Sequence, residues 1–284
     1  MLKSLLGLAP KQEPDGSFSP SWLALKLGTS KVTDYERIAY AKYQGKRSKI
    51  LVIFSEQKNM MMQNGKEFST GNHPVEALLP MLHLRAAGFE FEIATLSGKP
   101  VVFEMWAMPS EDTEVMALYE ELKPRFESPS PLQDAADQFM GETESYAAVF
   151  VPGGHGSMLG IPEHAQVGRV LRWAHENDLF TISLCHGPGA FLATALEGNE
   201  FLYRGYNMAV FPDSVDKQTP MLGYLPGPMP WQLEAQLTEL GATIVNTKND
   251  TTCCLDRRLI TGASNLASNE LGKLAASTLL EQLE

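Results

Sequence analysis

Three short runs constrain the fold more than anything else in the chain: Lys49-Ile50-Leu51-Val52-Ile53-Phe54, Tyr146-Ala147-Ala148-Val149-Phe150-Val151 and Leu179-Phe180-Thr181-Ile182-Ser183-Leu184. They are β-prone and apolar without the alternation of a half-exposed strand, which is the pattern of strands buried on both faces of a parallel sheet. Helical patterns lie between them. Asn72-His73-Pro74-Val75-Glu76 has a capping residue and a proline suited to a first helical turn, and Val75, Leu78, Leu79, Leu82 and Ala86 recur at helical spacing until Gly88. Phe89 to Thr95 alternates as a strand, so residues 49–95 form a β-α-β unit. A helix over Glu163–Glu176 links the second and third runs. Such a chain is expected to fold as a doubly wound, mostly parallel α/β sheet with helices on both faces.

The remaining segments fit less regularly. Residues 1–46 mix Pro10, Pro14 and Pro20 with Gly and Ser, then Tyr35, Tyr40 and Tyr43, and read as an arm that packs on the body through aromatics. Residues 47–284 form the main domain. Its rhythm breaks at about 98–142, which suggests an inserted subdomain built together with the arm. Strands are expected at Tyr206–Phe211, Thr243–Val245 and Arg258–Thr261, and helices at Thr113–Lys123, Trp231–Leu240 and Asn265–Leu283. The start, Met1–Pro10, is faintly like a secretory signal, but its apolar core is too short and lacks a small-residue cleavage site. No stretch reaches the roughly 18–20 apolar residues of a membrane span. A net charge of −11 argues against non-specific nucleic-acid binding, and three cysteines, two of them adjacent, make no disulfide framework. The expectation is a cytoplasmic protein in which Cys253 and Cys254 are structural.

The chemistry concentrates at strand ends, where open α/β sheets bind ligands. Leu184-Cys185-His186-Gly187-Pro188-Gly189 places a cysteine between a strand and a sharp turn into an Ala/Leu-rich helix, the layout of a nucleophile elbow. The helix start is expected to favour a thiolate; the alternative is a small buried thiol that merely ends a strand. Pro152-Gly153-Gly154-His155-Gly156 follows another strand. It is either a tight turn or, with the backbone N–H groups of Gly154 and His186, an oxyanion hole beside Cys185. Asp213 either orients the His186 ring, giving a Cys–His–Asp arrangement, or caps a helix or turn after Pro212. Glu76 at a helix start either suits the dipole or serves the cysteine. Dinucleotide-type glycine spacing is absent.

These residues resemble the PfpI-type superfamily, and most nearly its branch of bacterial heat-shock chaperones and glutathione-independent glyoxalases III. The resemblance rests on Gly71-Asn72-His73-Pro74-Val75-Glu76, Glu104-Met105-Trp106-Ala107-Met108-Pro109, Val151 to Gly156, Leu184 to Pro188, Phe211-Pro212-Asp213 with Asp216 to Pro220, and Gly262 through Leu271 to Ala275. It covers about residues 45–284 and implies a flavodoxin-like, usually dimeric protein. By this match Cys185 is the nucleophile, His186 its neighbouring histidine, Asp213 the third triad member, Glu76 the proton-shuttling acid, and Gly154 and His186 the oxyanion donors. Some members hold a metal with two histidines and a glutamate. Here Glu90 matches the glutamate, but Arg85 and about Leu122 stand at the histidine positions, so no metal is expected there.

The implied activity is cofactor-free conversion of methylglyoxal, a small α-oxoaldehyde, to lactate, with related repair of glycated proteins. Two other readings stay open. One is a holding chaperone for unfolded proteins, using Met60–Met62 and Trp106 as adaptable apolar surface. The other is a cysteine peptidase or amidase, for which a Cys–His–Asp triad would also serve.

Overall fold

The computed structural model describes residues 7–283; the signal-like start, Met1 to Leu6, and Glu284 lie outside them. Seven strands form the main sheet: β1 (Lys49–Phe54), β2 (Glu90–Thr95), β3 (Ser130–Pro131), β4 (Tyr146–Val151), β5 (Phe180–Leu184), β6 (Cys253–Asp256) and β7 (Leu259–Gly262). Their spatial order is β6-β7-β5-β4-β1-β2-β3. All neighbours are parallel except the edge hairpin β6–β7. The expected doubly wound sheet is therefore present, and the three opening runs are its central strands.

Among the described residues nine α-helices accompany it: α1 (Trp22–Gly28), α2 (Pro74–Ala86), α3 (Thr113–Glu127), α4 (Leu132–Gly141), α5 (Ala165–Glu176), the one-turn α6 (Asp213–Asp216) and α7 (Thr219–Leu222), α8 (Leu233–Glu239) and α9 (Ser268–Gln282). The two faces of the sheet carry separate apolar cores. Leu51, Ile53, Val149 and Val151 point to one, with α4 and α5; Ile50, Val52, Phe54 and Phe150 point to the other, with α2, α3 and α9. Each fully buried Leu, Ile or Phe contributes about 1.5–3 kcal/mol, so alternation inside each strand ties both helical layers to one sheet. None of the described helices is long and apolar enough to cross a membrane.

Residues 98–142 depart from the expected separate subdomain. Ser130 pairs with Ala94 at the edge of the main sheet, and Leu132, Ala135, Ala136 and Phe139 of α4 are buried in the core. The apolar face of α4 has more to gain on the sheet than on a detached unit. The arm pairs instead with residues 59–69. Lys11–Gln12, Phe18–Ser19, Glu67–Ser69 and Asn59–Met61 form a four-stranded sheet in that order. Its tyrosines do pack on the body: Tyr40 Oη meets His83 Nδ1 at 2.9 Å, and Tyr43 stacks on Phe89. The expected strand at 206–211 shortens to Asn207–Met208, paired with Thr243–Ile244 in a small sheet of its own, because Ala209 and Val210 bond to the side chains of Thr261 and Asn246 instead.

Met60 and Met62 are buried and Met61 is exposed; the methionine run is mostly core, with one residue at the surface. Trp106 is half-buried between Phe68 and Tyr224. Cys253 and Cys254 lie half-buried on the edge strand β6.

Candidate active site

The end of β5 sets the site. Cys185 follows directly and takes φ +57°, in the left-handed region that a side-chain-bearing residue seldom occupies. Two backbone bonds hold it there: its N–H donates to Gly262 O at 2.8 Å, and its carbonyl accepts from Phe211 N–H at 3.0 Å. The chain then enters a 3-10 helix over Gly187–Gly198. The kinked backbone turns the adjacent His186 ring back, so that Nδ1 lies 3.3 Å from the Cys185 sulfur.

The partner of His186 is Asp216. Its Oδ2 lies 2.8 Å from His186 Nε2 and its Oδ1 lies 3.2 Å from His155 Nε2. Burial opposes the charge on this carboxyl, but the two imidazoles overcome that and hold it below the usual carboxylate range. An ionised Asp216 accepts from Nε2–H of His186 and leaves Nδ1 as the basic nitrogen facing sulfur. The ring is fixed from both sides, by His155 at 4.0 Å and by Phe211 at 4.7 Å between centroids.

Asp213, expected in this place, is elsewhere. Its two carboxylate oxygens accept from the N–H groups of Glu234 and Ala235 at 3.0 Å each, while Glu234 Oε2 accepts from Asp213 N–H at 3.1 Å. Asp213 thus caps the first turn of α8, neither the triad place nor the local cap after Pro212 that was expected of it. The two aspartates sit three residues apart on the one-turn helix α6. That spacing in Asp213-Ser214-Val215-Asp216 is the feature from which Asp216, which the sequence reading missed, could have been found.

Glu76 reaches the site from the first turn of α2 and is 2% exposed. Burial pushes its carboxyl well up, the charge of Glu104 adds to this, and hydrogen bonding to the Cys185 thiol and the Gly154 N–H pulls back. The thiol is likewise raised, first by burial and then by Glu76; the His186 N–H is the smallest influence and favours the thiolate. This corrects the expectation that the helix start governs the sulfur: a buried neighbouring acid outweighs it. Burial disfavours a charge on either group, and a charge on one further disfavours a charge on the other, so thiol and carboxyl are coupled.

The glycine turn makes this closeness feasible. A Cβ on Gly153 would fall on Glu76 Oε2 and against Leu184 O and the Cys185 Cβ, and Gly154 has φ +100°. The Gly154 N–H favours the ionised form of Glu76 and the His186 N–H that of the sulfur, so both groups bear on the same pair.

The pair opens on a cavity of about 240 Å³. Its walls include His73, Glu104 and Tyr224 as well as Ala24 and Leu27 of α1. Helix α1 is pinned there by Ser21, which caps it through Ala24 N–H and bonds to Gly223 and Leu222 of the body. That the N-terminal arm supplies a wall was not legible in its irregular sequence. His73 is lowered to about 3 by burial and then by His155.

Arg85 forms an ion pair with Glu121 at 2.7 Å, Leu122 is buried in the apolar core and Glu90 is exposed. These residues do not fit a metal. Elsewhere among the described residues, ligand atoms of His155, His186 and Asp216 lie within 4.8 Å of one another. Each imidazole Nε2 there is already engaged by one Asp216 oxygen, so an ion would have to displace both bonds.

No protein-family model matches the chain. It is 48% identical over 267 residues to the protein/nucleic acid deglycase HchA of Escherichia coli O157:H7, covering 94% of this chain and 93% of that protein; the HchA of Escherichia coli O1:K1 matches equally. Among solved structures, the 24 kDa rapid encystment protein of Francisella tularensis superposes with a TM-score of 0.70 at 18% identity, over 82% of this chain and 99% of that one. Glyoxalase III of Candida albicans superposes with a TM-score of 0.62 at 19% identity, over 80% and 96%. At such identities these two likenesses speak to the fold.

Proposed function

Because the chain belongs to the family of the HchA deglycases, within the PfpI-type superfamily, we propose that it is a glutathione-independent glyoxalase of type III, converting methylglyoxal to lactate, and that it removes the same aldehyde from glycated amines. The observation that carries this reading is the buried, coupled pair of Cys185 and Glu76 on the wall of a small cavity. About 240 Å³ is the liquid volume of some eight waters, room for a three-carbon oxoaldehyde but not for a folded chain.

In the thiolate form of the pair, sulfur adds to the aldehyde carbon and the Glu76 proton passes to the aldehyde oxygen, giving a hemithioacetal and an ionised Glu76. The Gly154 and His186 N–H groups stabilise the oxyanion in between. Glu76, a stronger base for being buried, takes the proton from C1 and returns it to C2, while the hydroxyl proton leaves O1 and a proton is taken up at O2. The product is a lactoyl thioester. His186 Nδ1 then takes a proton from water as the water attacks the thioester carbon, and passes it to the departing sulfur. Atoms balance with one water per turnover, and no cofactor enters.

The deglycase reading is supported by the relatives' activity and needs the same capture of aldehyde by sulfur. A peptidase reading is less well supported, since an acid beside the thiol serves carbon proton transfer rather than amide cleavage. Three free cysteines fit a reducing cytoplasm. Purified protein given methylglyoxal without glutathione is expected to form lactate, and Cys185→Ala to form none. Turnover that survives in Cys185→Ala, or an amide panel cleaved faster than methylglyoxal, would overturn the assignment.

A further inference from the structure

Glu104 is the one acid on the cavity wall to which the steps above give no task. It is 1% exposed, and it stands at the entry to the 3-10 turn Met105–Ala107. Its backbone is stapled to the segment leading into α2: Glu104 N–H donates to Asn72 O at 3.0 Å, and Asn72 N–H donates to Val102 O at 2.7 Å. The same short stretch of chain therefore fixes Glu76 and Glu104 relative to each other. Thr70 Oγ1 donates to Glu104 Oε1 at 2.7 Å. Oε2 is buried and makes no hydrogen bond. An unpartnered buried oxygen is costly, and the cost falls when a ligand in the cavity supplies the partner.

Resting on the glyoxalase reading, we propose that Glu104 is a second catalytic acid, whose Oε2 binds the ketone oxygen of the α-oxoaldehyde and lends it a proton during the shift from C1 to C2. When Glu76 takes the C1 proton, the electron pair forms the C1–C2 double bond and moves the ketone pair onto O2. Glu104 gives its proton to O2, which completes the enediol. When Glu76 then protonates C2, the double bond collapses, the C1 carbonyl forms, and the O1 proton goes to the Glu104 carboxylate. Both acids end as they began. The two oxygens of a cis-enediol lie close together, so one carboxyl can serve both.

The groups facing Glu104 suit a neutral acid. Burial pushes it up to about 7; the His155 charge, Thr70 and the His155 N–H pull it back. The Glu76 carboxyl and the Tyr224 hydroxyl are the other titratable groups on which its charge bears. A substrate class follows: aldehydes with an oxygen on the adjacent carbon are turned over, while a simple aldehyde is captured by sulfur and released unchanged.

The test is Glu104→Gln, which keeps an acceptor for Thr70 and a donor for the ketone but has no proton to lend. Methylglyoxal and propanal are the probes. The expected result is a Cys185 adduct with both aldehydes at affinities within about threefold of wild type, seen by intact mass, with lactate formation slowed by about 10²-fold or more. Lactate formation within threefold of wild type would overturn the proposal. So would a folded variant that loses adduct and turnover together, since that marks a structural role. If wild type forms no lactate, the glyoxalase reading falls and this one with it. Should Glu104→Gln fail to fold, Thr70→Val decides: turnover at least tenfold slower with adduct formation retained supports the proposal, and unchanged turnover overturns it.

Discussion

Two buried histidines, one in the active site and one outside it, are bonded in nearly the same way. His83, on α2, is fully buried; its Nδ1 meets Tyr40 Oη and its Nε2 meets Asn269 Oδ1, both at 2.9 Å. His186 is also buried, with one nitrogen towards a sulfur and the other towards a carboxylate. Burial and saturation of both ring nitrogens therefore do not mark a functional histidine. What separates the two is the character of the partners. The partners of His83 are neutral and belong to the arm and to α9, so the ring acts as a rivet between segments distant in sequence. His186 is held by an ion on one side, which leaves its other nitrogen basic and aimed at a nucleophile beside a cavity.

The strongest way to break this contrast is to remove the ion while keeping the shape. Asp216→Asn is expected to fold and to lower kcat by about 10²–10⁴-fold, because an amide can present its NH₂ to His186 and so impose the wrong tautomer. Steady-state rates with methylglyoxal, alongside circular dichroism, give the answer. Near-normal turnover would mean that His186 needs no carboxylate and that the difference between the two histidines lies elsewhere.

Much of this arrangement was legible in the sequence, for physical reasons. Strands apolar on both faces announce a sheet covered on both sides, and Cys185 before Gly187-Pro188-Gly189 announces a kinked strand end. Glu76 could be placed only by the resemblance, since an acid in a first helical turn has a reason to be there without any chemistry. The choice between Asp213 and Asp216 was not legible. Both lie on one helical turn, and which one faces the histidine depends on Glu234 and the start of α8, some twenty residues on. Glu104 was visible only as part of a motif, because its meaning comes from burial and an unpaired oxygen. The wall built by α1 depends on Ser21 bonding to residues 222 and 223, a long-range contact with no local pattern.

His83 offers a smaller effect of opposite kind. His83→Phe strands the Tyr40 hydroxyl, at about 1–3 kcal/mol for a group left unsatisfied, and takes one partner from Asn269 Oδ1, which keeps the Glu36 N–H at 3.2 Å. Turnover is expected to stay within about twofold. The pH dependence sharpens the contrast. Burial lowers His83 below its ordinary 6.5, so the unfolded chain binds this proton more readily than the folded one. The stability that neutral His83 provides is full above about pH 6.5 and is lost as pH falls through the folded value. Urea denaturation of wild type across pH 5–8 should show that slope, and the Phe variant should lack it. A variant that keeps its stability but loses turnover would show that His83 is no rivet.

The smallest expected effect falls on the aspartate that the sequence favours. Asp213 accepts two N–H groups at the start of α8 and donates its own N–H to Glu234, an exchange that resembles a capping box between separated segments. Asp213→Ala should therefore cost about 1 kcal/mol, the usual loss for a cap, seen as a lower melting temperature. Its effect on kcat should be slight, because the loop carrying Asp216 is also held by Phe211 N–H on Cys185 O and by the Thr219 hydroxyl on Asp216 O. Comparing Asp213→Ala with Asp216→Asn thus separates two carboxylates one helical turn apart into a cap and an ion. If Asp213→Ala loses turnover a hundredfold at an unchanged melting temperature, the roles are reversed, and the carboxylate that orients His186 in the working enzyme is the other one.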